Sequence, residues 1–150
     1  MLKAYLDTNI YYISRINPKT NSRLAINATI DEQFEIIQSD YLYEEIQSLF
    51  KRKFNKDIAS YQIKFMRSFP LKTIIYEQQW SLLINQYQKY ISDIDDLPHI
   101  CSYFSGDCDY FVTTNRRLTQ MKIKNKVNFI TPKKFVEKLK LKPFITKNDV

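Results

Sequence analysis

The side chains with the clearest capacity for chemistry are carboxylates. Asp7 follows a short apolar run, Glu44 and Glu45 lie in a longer amphipathic stretch, and Asp93, Asp95 and Asp96 crowd together. Asp107 and Asp109 precede the run at 110–113, and Asn115 follows it. Like charges this close raise one another's pKa unless a cation neutralises them. Oxygen donors from Asp, Glu and Asn suit a hard cation, Mg2+ or Mn2+, rather than zinc. Such an ion keeps waters, one of which can become a nucleophile toward phosphate. Zinc is disfavoured again because His99, Cys101 and Cys108 are the full supply of its preferred ligands, and a structural site needs four. Both thiols read as reduced.

Each residue also has a plain structural role. Asp7 can cap the helix that follows it, and Glu44 and Glu45 can form a solvated face. Asp95 or Asp96 can cap a helix starting at Leu97, Asp107 and Asp109 can hold a turn, and Asn115 can cap a short helix. His99, the single histidine, reads first as a helix-start residue with a satisfied ring rather than a general base. Tyr11 and Tyr12 read as packing rather than as stacking platforms for bases.

Short apolar runs alternate with longer helical patterns, the signature of an α/β domain with a mostly parallel sheet. Strands are expected at 2–6, 35–38, 72–76, 110–113 and 127–130. Helices are expected at 9–16, 24–31, 41–54, 57–69, 80–91, 97–104, 116–121 and 132–139, with Gly106 ending the one before it and Thr131 capping the last. The expected architecture is a three-layer α/β/α sandwich around five strands, as one domain over 1–150. In open parallel sheets ligands gather at the C-terminal ends of strands. Asp7 and Asn115 stand directly past two such ends, and Glu45 lies one to two turns into the helix after the second strand.

At 150 residues, 44% hydrophobic and 26% charged, the chain is long enough for a real core and too apolar for disorder. One glycine argues against a Gly-rich phosphate loop. No apolar run approaches a membrane span, and the opening segment meets Asp7 before any signal-like core forms, so the expected address is the cytoplasm. The net charge of +7 is unevenly divided, −2 over residues 1–115 and +9 over 116–150. An acidic pocket repels a polyanion, so the basic third is a plausible grip on one. A solvated lysine-rich surface explains the charge equally well.

Four segments, in order, carry a family likeness. Tyr5-Leu6-Asp7-Thr8-Asn9, Ser39 with Glu45-Ile46, Asp96-Leu97-Pro98-His99, and Gly106 through Asn115 resemble the motifs of the PIN domain family of metal-dependent ribonucleases, which includes the VapC toxins of type II toxin–antitoxin systems. The resemblance runs to about Ile130. It implies a PIN-like fold and Mg2+ or Mn2+ ligands at Asp7, Glu45, Asp96 and Asn115, which would also be the catalytic set. The family often has Asp where Asn115 stands; Asn can ligate through its carbonyl oxygen but adds no charge. Thr8, Asn9, Asp95, Asp109 and Thr113 are implied as supporting residues, with Asp95 in reserve as a ligand. Arg116, Arg117 and Lys122 are implied as RNA contacts. The implied activity is hydrolysis of RNA phosphodiesters, with an antitoxin and a second copy of the chain as partners and no membrane association. The alternative is a PIN-like module that binds RNA or protein without cleaving. A receiver domain is discounted, since no acid pair follows the first strand and the third ends in Tyr76-Glu77.

Overall fold

The computed structural model describes residues 1–119, 123 and 126–145. Five strands form one sheet: β1 (Lys3–Leu6), β2 (Glu35–Ser39), β3 (Lys72–Ile75), β4 (Tyr110–Val112) and β5 (Phe129–Ile130). All neighbours pair in parallel, in the order β3-β2-β1-β4-β5. The helices are α1 (Thr8–Ile16), α2 (Asn21–Ile30), α3 (Asp40–Lys53), α4 (Lys56–Arg67), α5 (Glu77–Trp80), α6 (Ile84–Tyr87), α7 (Leu97–Ser105), α8 (Arg116–Thr119) and α9 (Pro132–Lys138).

The middle of the sheet is largely apolar, as a sheet covered on both faces must be, with Gln38 and Ser39 as buried polar members of β2. Ala4, Tyr5, Leu6, Ile36, Ile37, Phe111 and Val112 are fully buried. From β1 the chain steps outward through β2 to β3, then returns to the other side of β1 for β4 and β5. Right-handed crossovers therefore place α1–α4 on one face and α5–α7 on the other, which is the expected three-layer arrangement. The reversal makes the β1/β4 boundary a topological switch point, where the crevice beyond the strand ends is open to a ligand.

Several elements differ from expectation. The single helix expected over 80–91 is a chain of short pieces, with 3-10 turns at Ser81–Leu83 and Gln88–Tyr90 between and after α5 and α6. Leu83, Ile84, Tyr87 and Ile91 still pack on the core, so the apolar spacing was meaningful while the helix it suggested is interrupted. Its start is pinned from outside: Asp40 accepts hydrogen bonds from the Glu77 backbone N–H and from the Trp80 indole, both at 2.9 Å. β5 is two residues long rather than four, and Thr113 lies just beyond β4. Gly106 ends α7 at φ −87°, so it does not supply a left-handed turn; Asp107 does, at φ 51°. The glycine is needed for space, because a Cβ there would stand 2.6 Å from Cγ2 of Ile37.

Candidate metal centre

Asp7 is held from two directions. Its backbone N–H continues the β1–β4 ladder to the Val112 carbonyl at 3.0 Å. One carboxylate oxygen accepts from the Thr8 backbone N–H at 2.8 Å, starting α1, and the other from the Thr113 hydroxyl at 2.9 Å. The cap expected of Asp7 is therefore real, and it leaves lone pairs on both oxygens. Thr113 is itself oriented by accepting from the Asn115 N–H at 3.0 Å.

Glu45 reaches the same place from α3. Ser39 caps that helix by accepting from the Leu42 N–H at 3.0 Å. Glu45 Oε1 accepts from the Thr8 hydroxyl and lies 3.0 Å from His99 Nε2. Burial works against the charged carboxylate, but His99, Thr8 and Tyr41 outweigh it and hold its pKa below the ordinary range. Burial likewise disfavours a charged His99, yet Glu45, Asp7 and Asp96 raise its pKa above the usual value. Glu44 is exposed and outside the site.

The acidic cluster divides its work differently from expectation. Asp93, not Asp95 or Asp96, provides the cap, accepting from the Asp95 N–H at 3.0 Å at the start of a 3-10 turn (Ile94–Asp96) that runs into α7. Asp96 makes no side-chain cap and is free to face the site. Burial, helped by Asp93 and Asp7 and opposed by Arg117, pushes its carboxyl up to about 6. Burial thus does most to disfavour the charged form, and the neighbouring carboxylates add to it.

Asp7, Glu45, Asp96 and Asn115 all line one cavity of about 300 Å³, together with Thr8, Asn9, Ser48, Leu49 and Arg52. Asp95 is exposed and outside it. Asp109 is at the opposite end of the sheet, where its carboxylate accepts from the Lys3 N–H at 2.8 Å; it precedes β4, and a residue before a parallel strand cannot reach the far end. It is a structural pin for β1, not a support for the site. Asn115 uses one lone pair of its carbonyl oxygen as a cap, accepting from the Arg117 N–H at 3.0 Å, and keeps the other. Arg116 is exposed, whereas the Arg117 guanidinium bridges Asp93 and Asp96 at 3.1 and 3.2 Å. Lys122 lies outside the described residues. Tyr11 is fully buried and Tyr12 packs on Phe50 and Phe54, so neither is a base platform.

Arg52 was missed in sequence. It lies two turns beyond Glu45 on the same stripe of α3, a spacing that marks a shared face. Among the described residues no three His, Cys, Asp or Glu side chains stand close enough to enclose a metal as they are. The donor chemistry still fits an open hard-cation site. Mg2+ characteristically takes one or two carboxylates and keeps the rest of its shell as water.

The family model of the PIN domain matches residues 3–117. The chain belongs to the PIN domain family. The match covers all four motifs and the sheet from β1 to β4. Among solved structures the fold is similar to VapBC2 from Rickettsia felis bound to a promoter DNA fragment, at 16% identity and a TM-score of 0.61 over 87% of this chain and 98% of that one. DNA-bound VapBC from Salmonella typhimurium is similar at 13% identity and 0.62, covering 88% and 99%. VapC20 from Mycobacterium tuberculosis, titled a Sarcin-Ricin loop cleaving toxin, matches at 13% and 0.50 over 72% of this chain and 86% of that one. These likenesses speak to fold. No curated protein matches the sequence.

Proposed function

We propose that this PIN-domain protein is a divalent-metal-dependent endoribonuclease and the toxin of a type II toxin–antitoxin pair. The observation that carries the reading is the convergence of Asp7, Glu45, Asp96 and Asn115 on one cavity at the switch point of the sheet. The toxin role is supported by the VapBC structures that share the fold, and a cytoplasmic, antitoxin-bound homodimer is the corresponding working state. Among the described residues no helix is long and apolar enough to cross a membrane.

In this reading Asp7, Glu45 and Asp96 hold Mg2+ or Mn2+, and Asn115 adds a neutral oxygen. A bound cation of this kind supplies Lewis acidity and lowers the pKa of water beside a phosphodiester. The chain's own residues prepare the place. Thr113 and Thr8 hold Asp7 and Glu45 through hydrogen bonds and so fix where negative charge is presented. Arg52 at the cavity edge, with exposed Arg116, draws a phosphate toward carboxylates that would otherwise repel it. Arg117 neutralises Asp93 and Asp96 in the absence of a cation.

The test is incubation of the purified chain with structured and unstructured RNAs in Mn2+ or Mg2+, beside EDTA and the variants Asp7→Asn and Asp96→Asn. Cleavage is expected with metal and lost in EDTA and in both variants. Cleavage that survives both substitutions refutes this site. Tight RNA binding without cleavage favours the non-catalytic module, a reading that rests on Asn115, whose oxygen is neutral and shared with the Arg117 N–H.

A further inference from the structure

Behind the cavity lies a buried polar chain. Ser39 Oγ accepts from the Leu42 N–H at 3.0 Å and lies 3.0 Å from the Tyr5 hydroxyl. The Tyr5 hydroxyl is 2.6 Å from His99 Nδ1, and His99 Nε2 is 3.0 Å from Glu45 Oε1. Tyr5 and Ser39 are fully buried and His99 is 3% exposed. The imidazole also packs edge-on against Tyr41 at a ring separation of 5.1 Å.

With a neutral imidazole one assignment of protons satisfies every member. Ser39 donates to Tyr5, Tyr5 donates to His99 Nδ1, and the Nε2–H of the imidazole donates to Glu45. A protonated ring reverses the two bonds among His99, Tyr5 and Ser39 and keeps the Nε2–H toward Glu45. None of these atoms is among the buried polar atoms left without a partner in the described residues. The chain closes on itself, leaving α3 at Leu42 and returning to it at Glu45 by way of β2, β1 and α7. Such a network is costly to bury when incomplete, and an apolar ring would fill the same space more simply. What it adds is direction: two donors, His99 and Thr8, converge on Oε1 of Glu45. A carboxylate has about four lone-pair sites, so even with Tyr41 also at this carboxylate a site stays open to a cation.

We infer that His99 is a positioning residue for Glu45, locked by Tyr5 and Ser39 so that the carboxylate is presented to a divalent cation in one orientation. The inference rests on the metal reading of the cavity. Its role requires an N–H donor at the Nε2 position and no contact with the cation or substrate. Partners that orient ligands typically contribute about 10–100-fold to metal affinity.

The test is Mn2+ binding by isothermal titration calorimetry on the full chain, with far-UV circular dichroism and melting curves to confirm folding. His99→Leu should weaken Mn2+ about 10–100-fold. His99→Gln, which can place an amide donor toward Glu45, should recover most of that loss. Tyr5→Phe, which touches no proposed ligand, should weaken binding by several-fold, and it decides the matter if His99→Leu does not fold. Folded His99→Leu that binds as tightly as wild type, His99→Gln as weak as His99→Leu, or Tyr5→Phe with unchanged affinity overturns the inference alone. A wild-type chain that binds no Mn2+ overturns the metal reading and this role with it.

Discussion

Acid should weaken metal binding here at an unusually high pH, and the reason is Asp96. Its carboxyl is pushed from 3.8 to about 6 by burial, then by Asp93 and Asp7, against the lowering influence of Arg117. A divalent ion needs the carboxylate, so binding must displace the proton. Nearly all of Asp96 is ionised at pH 7.5 but only about one-tenth at pH 5, so the Mn2+ dissociation constant should rise about tenfold across that interval. A carboxyl at its ordinary value would be almost fully ionised throughout and give almost no change. Glu45, with its lowered pKa, titrates below this window. His99 also titrates, its pKa raised by Glu45 against burial, so the measurement belongs in a His99→Gln background. Calorimetry in two non-coordinating buffers gives both affinity and protons released. Asp93→Asn should move the transition down in pH, and Arg117→Met should move it up. An affinity constant within twofold from pH 7.5 to 5 refutes either the raised carboxyl or its role as ligand. The sign for folding is opposite: without metal, the protonated Asp96 favours the folded state, a contribution present below about pH 4 and lost as pH rises through about 6.

Thr113→Val removes the hydroxyl that donates to Asp7 and leaves the Asn115 N–H without its acceptor. A hydrogen bond to a charged group contributes about 1.5–3 kcal/mol, so thermal melting should fall by roughly 3–12 °C and Thr113→Ser should restore most of it; a melt within a degree of wild type contradicts the bond. Asn115→Asp keeps an acceptor for the Arg117 N–H and adds charge to the cavity. Mn2+ affinity, read by calorimetry, should rise about tenfold, or ~1.4 kcal/mol, and unchanged affinity would remove Asn115 from the ligand set. Gly106→Ala places a methyl group against buried Ile37. Urea unfolding should show a loss of about 1–3 kcal/mol from overpacking, and no loss would show that the neighbouring elements can part at no cost.

The ends of the strands were the most legible part of the site. Leu2–Leu6 reads as a buried strand because it is a short run with Lys3 as its one charge, and that places Asp7 at the mouth of the sheet. Asn115 follows by the same argument from β4. Glu45 needed only a helix packed back on the sheet. What stayed hidden depends on contacts between residues far apart in the chain. Tyr5 meets Ser39 and His99 across separations of 34 and 94 residues, which no local pattern encodes. The choice of Asp93 over Asp95 and Asp96 as the cap turned on a single 3-10 turn, whose entry cannot be told from three acids in a row of four. Arg52 was detectable in principle from its helical spacing to Glu45. Its charge does not stand apart from those of Lys51 and Lys53, and all three suit the C-terminal end of a helix dipole. The broken helix after Tyr76 retains the apolar spacing that suggested a continuous one, because that spacing reports burial and only indirectly backbone hydrogen bonding.

The claim at the centre is that carboxylates from β1, α3 and the start of α7 share one divalent cation. Anomalous diffraction from crystals grown with Mn2+, recorded at the manganese edge, locates such an ion directly. The expected result is a peak in the cavity within bonding distance of oxygens from Asp7 and Asp96, with Glu45 ligating directly or through water. A manganese peak elsewhere on the protein, with none in the cavity, contradicts it.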